Sequence, residues 1–375
     1  MDKIKSARNY IIIGVVVVAC FAVLFLISIL RQYGDFDVKR TIKQNNAAQT
    51  SYLDFQQNLL GYNRDGVSYT DYEGNLIWTD AYEMEDPSFD ECNDYLMIYD
   101  KSGTQIEIMT MSGKKGSIHT NLPITCASLA DNGTVAVLTQ EGDTHYLTVY
   151  NVNGDTLASG ELHTTNTGYP ISLAISSDAK KLMVSLVSLN DGDVKTTLLF
   201  YNFGRAGEKA KDNIVATYSY SNMIIPRVDF VNGDRAIAFG DNEIVLFSSS
   251  SKPKVSKEIF VKDRIVNIFH NDKYFGLITT TADTKEATRE TMTVYTVRGF
   301  KRFSKEINAS YNKTSFTSNN EILLTDGENV TLYTLGGIKK FSHDFKDGIY
   351  QMIPWDGSTN YIFIQKGVIE KVKLK

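Results

Sequence analysis

Residues 127–162 read ASLADNGTVAVLTQEGDTHYLTVYNVNGDTLASGEL, and this stretch decides the fold. Apolar residues alternate with polar ones in four short runs that Gly, Asn and Asp separate, a pattern typical of β-hairpins. The first half predicts a strand, a polar turn and a second, more apolar strand. The second half predicts an aromatic-containing strand, a glycine turn and a strand with alternating polar residues. Together they predict one four-stranded antiparallel unit.

The same unit recurs along the chain. Copies of its first half occupy residues 88–100, 173–186, 228–240, 268–279, 314–326 and 352–365. Copies of its second half occupy residues 66–82, 104–120, 197–204, 243–249, 292–307, 330–345 and 367–375. The period of about 38–51 residues is typical of a propeller blade, which needs neighbours to bury both of its faces. A pair of β-sandwiches is the alternative, but sandwiches predict no fixed period.

The repeats predict an all-β propeller of four-stranded blades over residues 51–375. Eight third strands can be counted, so we expect eight blades. The C-terminal segment supplies only three strands, and residues 36–41 are expected to add the fourth, which would remove an open sheet edge. Seven blades are the alternative if the weak first hairpin belongs to a stalk, which otherwise spans residues 31–50.

Residues 10–30 read YIIIGVVVVACFAVLFLISIL and carry no charge. A helix of this length reaches about 30 Å, so we predict a transmembrane span that follows a short tail, residues 1–9. The run is longer than the apolar part of a signal peptide, and the apolar run continues past Cys20, unlike that of a lipoprotein. Basic residues flank both ends of the span. The shortness of the tail therefore carries the prediction of a cytoplasmic N-terminus and an extracytoplasmic propeller at the plasma membrane.

The charge of the chain limits its partners. The 375 residues include 39 Lys and Arg against 44 Asp and Glu, for a net charge of −5. Without residues 1–31 the balance is 35 basic against 43 acidic residues, a net charge of −8. We therefore expect no nucleic-acid binding, and we expect the domain to stand away from anionic lipid while the single span contacts the bilayer.

No motif in the sequence assigns chemistry. The five histidines fall in different repeats without metal-binding spacing: His119, His145, His163, His270 and His343. Cys92 and Cys126 lie about one blade apart; a disulfide would suit an external location, but free thiols are favoured. Nucleophile-elbow and phosphate-loop motifs are absent, and residues 190–193 offer too few oxygens for calcium. We therefore predict no catalytic, cofactor-binding or metal-binding residue, and no cofactor.

Two turns carry resemblances to known repeats. Ser176–Leu182 resembles the S-x-D-G-K-x-L turn of many bacterial propellers, with Ala179 where glycine is usual. Asp71–Trp78 resembles the closing D-x-x-G-x-x-x-W segment of quinoprotein-type repeats, although the chain has only two tryptophans, which argues against a quinone cofactor.

The span and the repeats together, over nearly the whole chain, resemble a family of uncharacterised single-span propeller proteins from Gram-positive bacteria. Residues 168–204 are the most similar segment. The resemblance implies an anchored envelope propeller with no assigned activity.

These features favour a non-catalytic binding platform for an envelope protein or a cell-wall polymer. Propellers bind through loops, and the longest predicted connections between second and third strands, residues 188–196 and 281–290, are the candidate contact loops. One alternative is a polysaccharide hydrolase or lyase, which requires channel carboxylates with raised pKa values on several first strands. Another is a sensor coupled to a membrane partner. The ligand, the oligomeric state and the biological process stay open.

Overall fold

The computed structural model describes residues 16–17, 30–43, 50–190, 192–232, 235–248, 250–281, 289–307 and 311–375. Its strands form eight four-stranded antiparallel sheets, which confirms the predicted all-β propeller and the number of blades. The chain divides into two compact units. Blades 1 to 6 belong to residues 42–310, and blades 7 and 8 belong to residues 1–41 and 311–375.

Each blade takes its strands in chain order. Blade 1 contains β2 (Ser51–Phe55), β3 (Asn58–Tyr62), β4 (Gly66–Thr70) and β5 (Leu76–Ala81). Blade 2 contains β6 (Pro87–Cys92), β7 (Tyr95–Asp100), β8 (Gln105–Thr110) and β9 (Gly113–His119). Blade 3 contains β10 (Ile124–Leu129), β11 (Val135–Glu141), β12 (Thr144–Tyr150) and β13 (Thr156–His163). Blade 4 contains β14 (Tyr169–Ile175), β15 (Lys181–Asn190), β16 (Asp193–Asn202) and β17 (Ile214–Ser221).

The later blades follow the same order, except that the last takes a strand from the start of the chain. Blade 5 contains β18 (Arg227–Val231), β19 (Arg235–Phe239), β20 (Glu243–Phe247) and β21 (Val255–Phe260). Blade 6 contains β22 (Arg264–His270), β23 (Tyr274–Thr281), β24 (Arg289–Thr296) and β25 (Lys301–Ile307). Blade 7 contains β26 (Lys313–Phe316), β27 (Ile322–Thr325), β28 (Asn329–Tyr333) and β29 (Lys339–Asp344). Blade 8 contains β30 (Gln351–Asp356), β31 (Asn360–Gln365), β32 (Val368–Leu374) and β1 (Phe36–Lys43). Two short helical turns, Thr164–Thr167 and Lys211–Asn213, interrupt the strands.

The hydrophobic core lies between neighbouring blades, which explains why the second strand of each repeat is the most apolar. Leu138 in β11 and Leu182 and Val184 in β15 are fully buried in one cluster shared by blades 3 and 4. Each such side chain stabilises the fold by about 1.5–3 kcal/mol when it leaves water. Both faces of these strands are covered, so their apolar runs are nearly continuous.

The predicted fourth strand of the last blade, residues 36–41, is confirmed. Strand β1 is hydrogen-bonded to β32 and extends beyond the predicted segment to Lys43. The Phe36 ring packs edge-on against Phe363 with 4.9 Å between the ring centroids. At the strand's start, Lys375 Nζ lies 2.7 Å from Asp37 Oδ1. Apolar packing and an ion pair thus both hold β1 in the blade.

The turn between the first two strands of blade 4 forms as its motif predicts. The Ser176 hydroxyl donates to Asp178 Oδ1 at 2.7 Å, and the Lys180 amide donates to the same oxygen at 3.1 Å. Ala179 has a φ of 57°, the left-handed conformation that glycine adopts without strain. Alanine there costs about 1 kcal/mol, which explains why the related turns prefer glycine.

The candidate loop 188–196 is a hairpin rather than a loop, which corrects the prediction. Ser188 pairs with Lys195, and Leu189 pairs with Val194, so β15 and β16 continue almost to a tight turn. The apolar alternation of the strands extends into this segment, and that pattern outweighs its Asn, Asp and Gly content. In the second candidate loop, residues 282–288 lie outside the described residues.

The predicted span, residues 10–30, also lies outside the described residues except for positions 16, 17 and 30. Within the part of the chain that the structure describes, no helix has both the length and the apolar character that crossing a bilayer demands.

Candidate binding site

A cavity of about 460 Å³ opens between blades 4 and 5, at the end where second strands turn into third strands. We call it the blade 4–5 cavity. Its lining residues are Tyr220, Ser221, Met223, Asn242, Glu243, Phe260, Val261 and Lys262. Ligand sites in proteins are concave and of similar size, with few polar groups among apolar ones.

Hydrogen bonds to backbone carbonyls fix the walls of the blade 4–5 cavity. The Asn222 amide donates to the Val194 carbonyl at 2.7 Å, which ties the wall to the β15–β16 hairpin. The Val261 amide donates to the Asn242 carbonyl at 2.9 Å. The Thr196 hydroxyl donates to the Met223 carbonyl at 2.6 Å. The cavity is therefore built on paired strands rather than on a free loop.

Glu243 places in the cavity a carboxyl oxygen that can still accept a hydrogen bond. Its side chain belongs to a residue that is only 7% exposed, and its Oε1 atom has no hydrogen-bond partner among the described residues. Burial, and then the charge of Glu258, raises the pKa of Glu243. A buried carboxyl without a partner is costly, and a ligand that donates a hydrogen bond or carries a positive charge would relieve that cost.

A phenol lies beside this carboxyl. Burial is the main cause that raises the pKa of Tyr220 well above its usual range, and the charges of Glu258 and Glu243 raise it further. Tyr220 therefore stays protonated and can donate a hydrogen bond to a ligand.

Exposed large apolar side chains lie on the cavity wall and on the segments that are hydrogen-bonded to it. Phe260, which lines it, is 79% exposed, and Leu189 at the tip of the hairpin is 73% exposed. Ile224 is also exposed, and its carbonyl accepts from the Asp241 amide next to the cavity wall. We call these three residues the apolar rim. Grouped exposed apolar side chains of this kind mark interaction sites.

A second set of polar residues lies on the first strands, which contact one another in succession from β6 through β10 and β14 to β18. On three of them, a side chain accepts a hydrogen bond from a backbone amide of the next first strand. The pairs are Asp90 with Leu129 at 2.8 Å, Ser128 with Ile175 at 3.3 Å, and Ser172 with Val228 at 3.1 Å. These bonds link blade 2 to blade 3, blade 3 to blade 4, and blade 4 to blade 5.

Two carboxylates on β6 have strongly raised pKa values. Burial, and then the charge of Asp229, raises the pKa of Asp90 to about 7. Burial, followed by the charges of Asp90 and Asp54, raises the pKa of Glu91 to about 7. The Glu91 side chain nevertheless reaches solvent, so protein crowds it without covering it. The polysaccharide-enzyme alternative requires such carboxylates on several first strands, and these two lie on one first strand, β6.

Asp229 stays ionised because an imidazole and a guanidinium lie beside it. His270 Nε2 lies 2.8 Å from Asp229 Oδ2, and the Arg227 guanidinium lies 3.5 Å from the same oxygen. Burial alone would raise the pKa of Asp229, but these two neighbours outweigh it and lower the pKa. Sequence reasoning missed this cluster because its members lie on β18 and β22, and only the blade register brings them together.

The two cysteines that the structure describes, Cys92 and Cys126, are free. Burial raises the pKa of both Cys92 and Cys126 to about 12, so both thiols stay protonated and unreactive. Among the histidines, His343 packs against Phe36 with 5.1 Å between ring centroids. Within the described ranges, no three His, Cys, Asp or Glu side chains converge in a way that could hold a metal ion.

The fold has counterparts among solved structures. BamB from Moraxella catarrhalis superposes with a TM-score of 0.53 at 12% identity, covering 91% of this chain and 100% of that one. Sqt1 from Saccharomyces cerevisiae also gives a TM-score of 0.53 at 12% identity, covering 92% of this chain and 99% of that one. At such identities the likeness shows the fold alone.

The comparison with curated proteins finds no match. The model of a family of unknown function, DUF5711, matches residues 29–374. The chain therefore belongs to the family of unknown function DUF5711.

Proposed function

We propose that this protein is a membrane-anchored, extracytoplasmic and non-catalytic platform that binds an envelope protein at the blade 4–5 cavity. The observation that carries the proposal is Phe260, which is 79% exposed beside a cavity that contains a buried carboxyl. Residues 10–30 supply the anchor in this proposal.

The chemistry of the cavity defines the partner. Covering the apolar rim requires an apolar side chain on the partner, and an aromatic residue such as Phe260 can bury about 150–250 Å² in such a contact. Glu243 requires a hydrogen-bond donor or a cation next to that side chain. An envelope protein that presents an apolar residue beside a lysine or an amide satisfies both needs, whereas a wall polymer offers little apolar surface.

Site-specific photo-crosslinking in cells tests this proposal. A photoreactive residue at position 260 is expected to capture a defined envelope protein. The matched control is position 76, because Leu76 is also highly exposed, at 61%, and also lies on an outer strand, but in blade 1 and not at the cavity. Phe260→Ser together with Leu189→Ser should abolish recovery of that protein with the full-length chain. Equal crosslinking from both positions, or recovery unchanged by the double variant, would contradict the proposal.

A second candidate function is acid chemistry on a polysaccharide, and the raised pKa values of Asp90 and Glu91 favour it. Asp90 already holds the Leu129 amide, so Glu91 is the candidate acid. Asp54, which accepts a hydrogen bond from the Tyr72 hydroxyl at 2.7 Å, is the candidate second carboxylate. The test is release of reducing ends from cell-wall polysaccharide by the purified chain. Activity that Glu91→Gln abolishes would replace the platform proposal, and no release by the wild type would remove this candidate.

A further inference from the structure

We infer that a second cavity between blades 4 and 5 binds an anionic ligand that carries two or more phosphate groups. This cavity has a volume of about 670 Å³ and lies at the opposite strand ends from the blade 4–5 cavity. First-to-second and third-to-fourth strand connections form it. Its lining residues are Asp178, Lys180, Lys181, Asn202, Gly204, Arg205, Ala206, Lys209, Ser251 and Lys252. We call it the basic cavity.

The charge of the basic cavity is opposite to that of the domain around it. Five of its described lining residues are cationic and one is a carboxylate, whereas residues 32–375 carry a net charge of −8. The single carboxylate, Asp178, is already engaged: its Oδ1 atom accepts from the Ser176 hydroxyl and the Lys180 amide, and its Oδ2 atom lies 3.8 Å from Lys180 Nζ. Asp178 thus offsets part of the charge of Lys180, and the cavity keeps an excess of positive charge. Glu208 and Asp212 lie on the same connection but do not line the cavity. The local field therefore attracts anions.

The segment that carries Arg205 and Lys209 is folded tightly. The Gly204 amide donates to the Asn202 side chain at 2.9 Å, and the Gly207 amide donates to the Gly204 carbonyl at 2.9 Å. A Cβ atom at Gly207 would come within 1.6 Å of the Asn202 carbonyl oxygen, so only glycine fits there. The cations on this connection are therefore held by a defined backbone before any ligand arrives.

A hydrogen bond between the two blades fixes the cavity's opposite walls. The Asn202 side-chain amide donates to the Ser251 carbonyl at 3.1 Å, and Asn202 itself is only 5% exposed. Lys181 lies deeper in the cavity, 7% exposed, with its ammonium 5.9 Å from the centre of the Phe230 ring. Cations thus lie both on the rim and within the cavity.

The number of cations selects the ligand class. A carboxylate or a single phosphate neutralises only one or two charges, whereas a diphosphate or a phosphate chain can pair with more of the lining cations at once. Arginine also binds phosphate oxygens in a bidentate manner, and lysines add point charges. The volume suits a small ligand or a segment of a longer chain. This inference does not depend on the platform proposal, because the two cavities share no lining residue.

Calorimetric titration of the full-length chain with inorganic phosphate, pyrophosphate and polyphosphate tests the inference. We expect affinity to rise from phosphate to pyrophosphate and to fall as salt is added, because charge pairing dominates. The test variant is Arg205→Glu with Lys209→Glu. The control is Lys211→Glu with Lys254→Glu, which changes net charge equally at exposed lysines that do not line the cavity.

The test variant should lose affinity about tenfold or more, and the control should lose about threefold or less. Binding of pyrophosphate identifies a compact diphosphate ligand, and binding of polyphosphate alone identifies a longer chain; both outcomes support the inference. Absence of binding by all three probes, or equal losses in the two variants, would overturn it. Unchanged melting temperatures of both variants exclude unfolding as the cause of a loss.

Discussion

Blades 2, 3 and 4 are each hydrogen-bonded to the following blade, but blade 2 uses a carboxyl acceptor where blades 3 and 4 use hydroxyl groups. In each case a side chain of the first strand accepts a backbone amide from the next blade. Ser128 and Ser172 do this with neutral hydroxyl groups, whereas Asp90 does it with a carboxyl whose pKa burial raises to about 7. The comparison teaches that the bond needs only an acceptor. The charge of Asp90 makes this one contact sensitive to pH while its counterparts are not.

The largest effect is expected from Asp90→Ala. This change leaves the Leu129 amide without its acceptor and also removes the bond from the Ser128 hydroxyl. The free energy of unfolding at pH 5 should fall by about 2–3 kcal/mol, as measured by denaturant titration. The loss should be smaller at pH 8, because the buried Asp90 of the wild type is then ionised and stabilises the native state less. An equal loss at both pH values would show that the charge is irrelevant.

The second-largest effect is expected in the pH dependence of the wild-type protein's stability. The native state keeps Asp90 protonated up to about pH 7, whereas the unfolded chain releases this proton near the ordinary aspartate value of 3.8. The free energy of unfolding should therefore fall by about 2 kcal/mol, after allowance for solvent screening, as pH rises from about 4 to about 7. Above that range it should level off.

Asp90→Ser, which copies the hydroxyl of blades 3 and 4, should remove most of this fall. Thermal unfolding followed across this pH range measures it. A wild-type curve that rises through the same range would contradict the raised pKa. The pKa of Asp229 is lowered, so its titration affects stability only at lower pH and does not contribute to the fall in this range.

A smaller and pH-independent effect is expected from Ser172→Ala. The change removes a neutral acceptor from the Val228 amide, so the free energy of unfolding should fall by about 1 kcal/mol. Denaturant titrations at pH 5 and pH 8 should give the same loss. A loss that varies with pH would mean that the hydroxyl and carboxyl links do not differ as proposed.

The smallest effect is expected from Glu91→Gln. Glu91 neighbours Asp90 and also has a pKa raised to about 7, but its side chain reaches solvent, which weakens the energetic consequence. Neutralising it should raise the free energy of unfolding at pH 8 by about 1 kcal/mol or less and leave it unchanged at pH 4. Glu85→Gln, at an exposed acid just before β6, is the control and should change nothing at either pH.

The sequence was sufficient for the repeat architecture. Hairpins of period two recur with turn residues between them, so the blades, their number and the return of residues 36–41 to the last blade could all be predicted. Even the strained turn at Ala179 could be anticipated from its motif. These features are local in the chain, or follow from counting strands.

The sites could not be predicted in the same way. Asp229 and His270 are distant in the chain, and only the register between two blades places them 2.8 Å apart. The basic cavity combines Arg205 and Lys252 from two different connections, whose charges appear unremarkable in the linear sequence. The Asn, Asp and Gly residues of segment 188–196 predict a loop, whereas its apolar alternation, which continues from the flanking strands, produces a hairpin.

Blade 8 contains strands from both ends of the chain, so it can form only after nearly all of the chain has been synthesised. Asp37 and Lys375, which pair across that blade, are separated by 338 residues. A ribosome adding roughly 5–20 residues per second needs on the order of half a minute to make this length. For that time β1 has no β32 to pair with. Its sequence FDVKRTIK carries three basic residues, and charged edges of this kind discourage pairing with the wrong chain while the proper partner is still being made.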